Sequence, residues 1–391
     1  MCYNWQMQRT IRIRLDPSPS QAGALAETAR QFTLAFNSIC TSGWRQRLTN
    51  GVELHHATYY GLRDTLPDLP SNLLVQARVK ATEALKSALT LVRKGQKVSQ
   101  PQSLASPPRY NQRTYKVDWE SQTVRMSLVG GRQTIRFSVP TYAARYAGYL
   151  TDTADLTLRA GVWWLHIVVT IPTPQVQPTA QVVGVDLGIN PPAVTSSNHF
   201  LGKKRWKAIE GRLFHLKRAL QKKGTRSAKR HLRRVAHRQA RFRRDSDHVL
   251  SKQIVHSVEP GATIVLENLK DIRKRMTAKR RSKMKRRMHS WSFASLKAKI
   301  AYKAEERGCT VVAVDPRHTS QRCSCCGHTA RTNRRSQSVF MCRQCEFSLN
   351  ADLNAARNIA AKYHADSGIP TIGGLIVNQP IVSKPAPLAL D

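Results

Sequence analysis

Residues 182–189, Val-Val-Gly-Val-Asp-Leu-Gly-Ile, form a continuous apolar run that is interrupted by a single acid, Asp186. Such a run is typical of a β-strand that is buried on both faces in the centre of a sheet. Two further runs of this kind follow, Thr-Ile-Val-Leu-Glu-Asn-Leu at 263–269 and Cys-Thr-Val-Val-Ala-Val-Asp-Pro at 309–316. Helical patterns separate the three runs, so this part of the chain predicts an α/β domain.

The acids in these strands suggest a functional site. Asp186 interrupts the first run and Glu267 the second, and a buried carboxylate costs several kcal/mol unless something compensates it. For each acid alone, a turn cap or a bond from a backbone N–H is at least as good an explanation as a metal. A third acid, Asp352, begins an alanine-rich helical pattern, and three such acids favour a shared site. By pattern alone, Asp315 is a rival for the third place.

Three carboxylates that converge from separate elements have a recognised chemistry. They can hold two Mg²⁺ ions about 3.5–4 Å apart, the arrangement that activates water and stabilises the leaving oxygen in phosphodiester hydrolysis. The sequence therefore predicts catalytic magnesium at this site.

Five of the eight cysteines lie between positions 323 and 345, in two close pairs and one extra. The 15 residues between the two Cys-x-x-Cys pairs fit a zinc ribbon, and four thiolates close the coordination sphere, so the zinc is structural. Gly327 suits the tight turn of the first knuckle. We expect Cys325 to be a bystander and His328 to be a weaker candidate ligand. The predicted zinc ligands are Cys323, Cys326, Cys342 and Cys345.

The charge of the chain predicts a polyanionic partner. Lys and Arg number 64 against 24 Asp and Glu, which gives a net charge of +40 on a chain of 391 residues. In a chain with enough apolar residues to form a hydrophobic core, this excess of positive charge indicates that the partner is a nucleic acid. The start of the chain lacks the apolar segment of a secretory signal, and no apolar run approaches the roughly 20 residues that a membrane helix needs. We therefore expect no membrane partner and a cytoplasmic, nucleoid-associated protein.

Two segments concentrate this charge. Residues 201–250 hold 18 Lys and Arg but three acids, and their apolar residues recur at helical spacing on both sides of a break at Gly224. This pattern predicts a basic helical hairpin over 203–248 whose outer surface contacts phosphates. Residues 271–290 hold ten Lys and Arg and one acid, and we expect a loop that becomes ordered on a polyanion.

The first half of the chain has a different pattern. Residues 7–15 alternate as a strand does, and short alternating runs return between 115 and 171. Between them, residues 20–95 show helical periodicity, and a Pro-rich segment follows at 96–112. These patterns predict a small β-barrel that a helical domain interrupts.

Several of these motifs together resemble TnpB, the RNA-guided nuclease of bacterial insertion sequences and apparent ancestor of the type V CRISPR effectors. The resemblance lies in Gly-Val-Asp-Leu-Gly-Ile, in Ile-Val-Leu-Glu-Asn-Leu, and in the series from Trp291 through the cysteine pairs to Asn-Ala-Asp-Leu-Asn-Ala-Ala-Arg-Asn-Ile-Ala. It covers about residues 181–361 strongly and 8–95 weakly.

This resemblance implies a domain organisation. It comprises a RuvC-like nuclease domain of the RNase H fold with an inserted zinc ribbon, and an oligonucleotide-binding (wedge) β-barrel interrupted by a helical recognition domain. The expected ranges are 1–19 and 96–178 for the barrel, 20–95 for the recognition domain, 179–318 and 347–366 for the nuclease domain, 319–346 for the ribbon and 367–391 for a tail.

The resemblance also implies a function and a catalytic set. Guide RNA and target DNA are the expected partners, and Asp186, Glu267 and Asp352 the expected catalytic and magnesium-binding residues, with Asp315 structural. The alternatives are a catalytically silent RNA-guided DNA-binding repressor and a small type V CRISPR effector.

Two departures from the family pattern affect the expected geometry. Glu346 follows Cys345 where the family usually has glycine, so we expect strain in the second knuckle. Pro191 and Pro192 follow the first acid, and we expect them to bend the strand beside the metals.

Overall fold

The computed structural model describes residues 6–188, 191–269 and 293–367. The described chain forms two compact units, one ending at Pro172 and the other beginning at Thr173. The predicted basic loop at 271–290 and the tail beyond residue 367 lie outside the described residues.

The first unit contains a seven-stranded antiparallel sheet. Its strand order is β2-β6-β7-β1-β5-β4-β3, so the N-terminal strand lies in the middle. Alternate residues of β1 and β7 are buried, which is why the alternating sequence runs form strands with one face on the core. The strands are β1 Gln6–Asp16, β2 Arg109–Tyr110, β3 Tyr115–Asp118, β4 Thr123–Leu128, β5 Gly131–Ser138, β6 Leu150–Arg159 and β7 Val162–Pro172.

Three helices lie between β1 and β2 along the chain: α1 Pro19–Gln46, α2 Gly51–Thr65 and α3 Ser71–Arg93. A capping box fixes the start of α1, in which the Ser18 side chain accepts from the Gln21 backbone N–H and the Gln21 side chain accepts from the Ser18 backbone. Buried apolar residues of all three helices join those of the sheet in one core.

The second unit contains a five-stranded sheet of order β10-β9-β8-β11-β12. The three apolar runs of the sequence form its parallel strands β8, β11 and β12, and β9 pairs antiparallel to β8. These buried-strand predictions are confirmed. The strands are β8 Val182–Leu187, β9 Ala193–Thr195, β10 Phe200–Leu201, β11 Thr263–Glu267 and β12 Thr310–Val314.

Helices cover both faces of this sheet. One face carries buried residues of α5 Arg226–His256 and α6 Phe293–Glu305, and the other carries α7 Ala351–Ser367. Helix α4 Arg205–Lys223 packs against α5 through a small apolar cluster. Gly224 joins the two helices with a φ of 65°, so the predicted break in the basic hairpin is confirmed.

A small two-stranded sheet precedes α7. It is formed by β13 Val339–Met341 and β14 Ser348–Asn350. Within the parts of the chain that the structure covers, no helix is both apolar enough and long enough to cross a bilayer.

Candidate metal centres

The four predicted zinc ligands lie together. Their Sγ atoms are all within 4.8 Å of one another, with Cys323 and Cys345 3.7 Å apart and Cys326 and Cys342 3.6 Å apart. A tetrahedron with zinc–sulfur bonds of about 2.3 Å has edges of roughly 3.8 Å, so these separations fit zinc. Cys325 is exposed and stands outside the cluster, as expected of a bystander.

Buried polar contacts hold the two cysteine knuckles together. Asn333 is fully buried; its side-chain amide donates to the carbonyl oxygens of Gln321 and His328, and its side-chain oxygen accepts from the Arg343 backbone N–H. Gly327 has a φ of 79°, which confirms the tight turn expected of the first knuckle. One asparagine therefore fixes the spacing between the two ligand pairs.

The pKa of the Cys342 thiol is lowered, which favours cation binding. Burial acts to raise its pKa, but the backbone N–H groups of Cys345 and Gln344 and the neighbouring thiols outweigh burial and lower the pKa to about 6. A thiolate at neutral pH is the form that coordinates zinc. The pKa values of the Cys323, Cys326 and Cys345 thiols are raised, so the fit to a structural zinc site rests on the four-sulfur donor set and its spacing, with Cys342 as the thiol that ionises first.

The second knuckle carries the strain that its sequence predicts. Glu346 has a φ of 55°, in the left-handed region where a Cβ costs roughly 1–2 kcal/mol. The family glycine at this position would adopt the same conformation without that cost.

Two of the three predicted carboxylates lie on the same face of the five-stranded sheet. Leu266 of β11 pairs with Val185 of parallel β8, so the next residues, Glu267 and Asp186, are neighbours at the carboxyl ends of adjacent strands. Successive residues of a strand point to opposite faces. Because Val185 and Leu266 pack toward α5 and α6, Asp186 and Glu267 belong to the opposite face.

The third carboxylate comes from the helix that covers this face. Asp352 lies in the first turn of α7, and buried residues of α7 pack on Val265 and Val314. A Cβ at Gly184 would come within 2.2 Å of the Ala356 carbonyl oxygen, so the helix touches the backbone of β8 two residues before Asp186. The glycine therefore lets Asp352 approach the other two acids.

Electrostatics show that the three acids interact. Burial, followed by the charges of Glu267 and Asp352, raises the pKa of Asp186 to about 8. Burial also raises the pKa of Glu267 and that of Asp352. A raised pKa in three neighbouring carboxyl groups means that their negative charges are not fully compensated by the protein, and a hard divalent cation would supply the missing positive charge.

Two residues outside the predicted set contact these carboxylates. Arg334 donates to Asp352 Oδ1 at 2.9 Å, and the Thr319 hydroxyl donates to Glu267 Oε1 at 2.5 Å. Both bonds act to lower the pKa of the acid that accepts them. In the described ranges the four thiols are the one ligand group gathered within 4.8 Å, so the carboxylates are held by these contacts rather than drawn to a common point.

Asp315 does not lie on the sheet face that Asp186 and Glu267 share. It follows Val314, which faces α7, so it is one residue out of phase with the shared carboxylate face. Its side chain is 54% exposed, accepts from the Arg317 backbone N–H, and lies 4.0 Å from the Arg317 guanidinium. Its charge raises the pKa of Glu267 but is not among the causes that raise the pKa of Asp186.

The prolines after the first acid do not bend β8 as expected. Asp186 and Leu187 still pair with β9, and the Gly188 backbone N–H donates to the carbonyl oxygen of Pro192. The prolines lie beyond the strand in the turn toward β9. This expectation was wrong, because Asp186 and Leu187 keep their register with Val194 and Ala193 of β9.

Helices α4 and α5 form a basic surface. Nearly all of their Lys and Arg residues are at least partly exposed, and His237, Arg241 and Arg244 of α5 line a shallow groove. Such one-sided charge is suited to phosphate contact.

Comparison with protein-family models gives two matches. Residues 166–273 match the model described as a probable transposase of the OrfB type, and residues 293–359 match the Cas12f1-like TNB domain. The two matched ranges contain Asp186, Glu267, Asp352 and all four zinc ligands.

Named relatives agree with these models. The chain is 43% identical over 123 residues to a CRISPR-associated endodeoxyribonuclease Cas12f1 of Sulfoacidibacillus thermotolerans, covering 31% of this chain and 27% of the relative. It is 34% identical over 224 residues to the putative RNA-guided DNA endonuclease InsQ of Escherichia coli K12, covering 52% of this chain and 55% of the relative. The matched segments therefore span about a quarter and about half of these relatives.

A solved structure shows the same fold over nearly the whole chain. The Cas12f1 chain of an sgRNA–target DNA complex superposes with a TM-score of 0.65 at 14% identity, covering 91% of this chain and 98% of that one. The two chains thus share one fold. Other matched proteins carry the name TnpB-like, and the predicted resemblance is confirmed: over the matched segments the chain is similar to TnpB-like and Cas12f proteins.

Proposed function

We propose that this protein is an RNA-guided DNA endonuclease encoded by a mobile element, which binds a guide RNA and cleaves target DNA at a RuvC-like site. The observation that supports this most strongly is the placement of Asp186 and Glu267 at adjacent strand ends on the face that α7 covers, where the charges of Glu267 and Asp352 raise the pKa of Asp186. The activities named for the relatives, RNA-guided DNA endonuclease and endodeoxyribonuclease, support the same proposal.

The proposed domain organisation follows the predicted ranges. The seven-stranded sheet supplies the oligonucleotide-binding barrel, α1 to α3 the recognition domain, the five-stranded sheet with its helices the RuvC-like domain, and the four-cysteine segment the zinc ribbon. Three parallel strands with an antiparallel neighbour and helices on both faces are compatible with an RNase H fold.

The proposed catalytic residues are Asp186, Glu267 and Asp352, acting as ligands of two Mg²⁺ ions. Such ions activate water and stabilise the leaving oxygen of a phosphodiester. Asp186 and Glu267 supply oxygens from rigid strand ends, and Asp352 supplies its own from the first turn of α7. Arg334 forms an ion pair with Asp352 at 2.9 Å, and a bound cation would compete with it for that carboxylate.

Guide recognition is assigned to the basic surfaces. Phosphate contacts of α4 and α5 supply affinity that is independent of sequence, and base pairing between guide and target supplies the choice of site. The high density of Lys and Arg and the few acids in residues 201–250 suit binding to phosphates without choice of sequence.

The test is cleavage that depends on the guide. RNA that co-purifies with the full chain is sequenced, and the complex is reassembled with a guide matched to a plasmid target in Mg²⁺. We expect cleavage with the matched guide and none with a scrambled guide or without RNA. Cleavage at the same position without RNA would contradict guide dependence, whereas binding of the matched target without cleavage would indicate the silent repressor.

A further inference from the structure

The segment between β12 and the first zinc ligand carries a buried threonine that contacts a proposed catalytic residue. Thr319 is 3% exposed, and its Oγ1 lies 2.5 Å from Glu267 Oε1 and 3.1 Å from the Pro316 carbonyl oxygen. A hydroxyl has one proton, and charge-assisted bonds to carboxylates are the shorter and stronger ones. The Thr319 proton therefore belongs to the bond with Glu267.

Helix α7 holds this threonine in place. Asn358 is 3% exposed, and its side-chain amide donates to the carbonyl oxygens of Thr319 at 2.9 Å and of Arg322 at 2.6 Å. One turn earlier, the buried Asn354 donates to Arg322 and accepts from the Ser324 backbone N–H. Two asparagines on one face of the helix thus fasten the segment that leads into the zinc site.

We propose that Thr319 is a positioning residue for the metal site: its hydroxyl orients the Glu267 carboxylate toward the bound divalent ion, and Asn358 holds Thr319 for this task. This inference rests on the proposed function, because it assumes that Glu267 is a metal ligand. It assigns a role to two residues that the catalytic set does not include.

The geometry explains why such a residue is needed. A glutamate side chain has several rotatable bonds, and although the backbone of Glu267 pairs with Val314 of β12, this pairing does not fix the side-chain rotamer. The hydroxyl engages Oε1, whereas Oε2 accepts no hydrogen bond from any residue that the structure describes. One oxygen is thereby fixed and the other is available to a cation, as in the outer-shell contacts that orient metal ligands.

The same contacts link the zinc ribbon to the catalytic face. Thr319 lies four residues before Cys323, and Asn358 lies six residues after Asp352 on the same helix. Hydrogen bonds through the Thr319 hydroxyl and the Thr319 backbone carbonyl therefore connect the segment before Cys323, helix α7 and the Glu267 carboxylate.

The test measures metal binding directly. Thr319→Val removes the hydroxyl and keeps the shape, and Thr319→Ser keeps the hydroxyl. Mn²⁺ is titrated calorimetrically into the full-length, zinc-loaded protein without nucleic acid. We expect Thr319→Val to weaken Mn²⁺ binding by about 10- to 100-fold, the usual effect of losing an outer-shell partner, and Thr319→Ser to restore most of it.

Thr82→Val is the matched control. Thr82 is also buried, and its hydroxyl donates to the Arg78 carbonyl oxygen within its own helix, α3. We expect its Mn²⁺ affinity to equal that of the wild type. If Thr319→Val fails to fold, as judged by its zinc content and thermal transition, Thr319→Ala provides the same test.

A double-mutant cycle with Glu267→Gln separates positioning from general stability. If Thr319 acts through Glu267, Thr319→Val has no further effect on Mn²⁺ affinity once Glu267 is replaced. Equal losses in both backgrounds, wild-type affinity in folded Thr319→Val, or a Thr319→Ser protein as weak as Thr319→Val would each overturn the proposal.

Failure of the proposed nuclease activity can be distinguished from failure of the positioning role of Thr319. A wild-type protein that binds Mn²⁺ at this site but cleaves no DNA would contradict the nuclease and leave the positioning role intact. A wild-type protein whose Mn²⁺ affinity is unchanged by Glu267→Gln would overturn the positioning role as well.

Discussion

Gly184 of β8 lies directly against the carbonyl oxygen of Ala356 in α7, so close that a Cβ on the glycine would be 2.2 Å from that oxygen and 2.6 Å from the Ala360 backbone nitrogen. Both atoms belong to helix backbone, which cannot move aside as a flexible side chain can. This contact sets the distance between the strand that carries Asp186 and the helix that carries Asp352.

Gly184→Ala is therefore expected to push α7 away from β8. Overpacking of this kind typically costs about 1–3 kcal/mol of stability, and the added separation of Asp186 from Asp352 should reduce cleavage more than it reduces stability. Thermal unfolding and Mg²⁺-dependent cleavage by the guide-loaded protein measure the two effects. Gly211→Ala in α4, where a Cβ meets nothing within 4 Å, is the control and should be neutral or slightly stabilising. Equal behaviour of the two variants would contradict the close approach.

Glu346→Gly should stabilise the zinc ribbon. The residue has a φ of 55°, and removing its Cβ relieves strain of roughly 1 kcal/mol. The measurement is the thermal transition of the zinc-loaded protein. Glu346→Ala removes the same carboxylate but keeps the Cβ, so it should give no such gain. A gain of equal size in both variants would assign the effect to charge rather than to backbone conformation.

Cys342→Ser should release the zinc. The Cys342 thiol is the one whose pKa is lowered to about 6, and its loss opens the four-sulfur cluster. We expect the metal content to fall well below one zinc per chain and the thermal transition to drop, because structural zinc contributes directly to folding. Cys325→Ser should keep a full zinc complement, since Cys325 is exposed outside the cluster. Zinc loss in Cys325→Ser would contradict the ligand assignment.

Magnesium binding should depend on pH through Asp186. Its pKa is raised from 3.8 to about 8, so below pH 8 the carboxyl holds a proton that Mg²⁺ must displace. Apparent Mg²⁺ affinity should then fall by up to about tenfold for each pH unit below 8.

The same shift affects stability. Because the folded-state pKa lies above the ordinary value, Asp186 makes the Mg²⁺-free protein progressively less stable as pH rises from about 4 to 8. Thermal transitions at pH 6 and pH 8, with and without Mg²⁺, measure this effect. Mg²⁺ should stabilise the wild type more at pH 8, and Asp186→Asn should lose that difference. The same Mg²⁺ response at both pH values in the wild type would contradict the shifted pKa.

The sequence predicted the elements of the fold better than their arrangement. Apolar runs identified β8, β11 and β12 because parallel strands are buried on both faces. The helical periodicity predicted over residues 20–95 did not identify α2 as a separate helix. Leu54 and Leu62 are the only buried residues of α2 and most of its surface is exposed, so its apolar pattern is weak.

The zinc site was predictable because its ligands come in two local pairs of fixed spacing. The choice between Asp315 and Asp352 came from the family resemblance and not from the pattern, since it depends on which face of the sheet each residue occupies, and spacing along the chain does not contain that information. Thr319 and Arg334 were missed for the same reason, because each reaches its partner through the tertiary fold. Asn354 and Asn358 did leave a signal, as two amides at helical spacing on the apolar face of an alanine-rich helix.

The central claim is that Asp186, Glu267 and Asp352 form one catalytic metal site, and Asp186→Asn tests it most directly. The guide-loaded wild type, Asp186→Asn and the control Asp315→Asn are compared for Mg²⁺-dependent cleavage of a matched target and for guide RNA affinity. Asp186→Asn should lose more than about 100-fold in cleavage, since even outer-shell partners of metal ligands typically cost 10- to 100-fold, and should bind RNA normally. Asp315→Asn should cleave as the wild type does. Undiminished cleavage by folded Asp186→Asn would contradict the account.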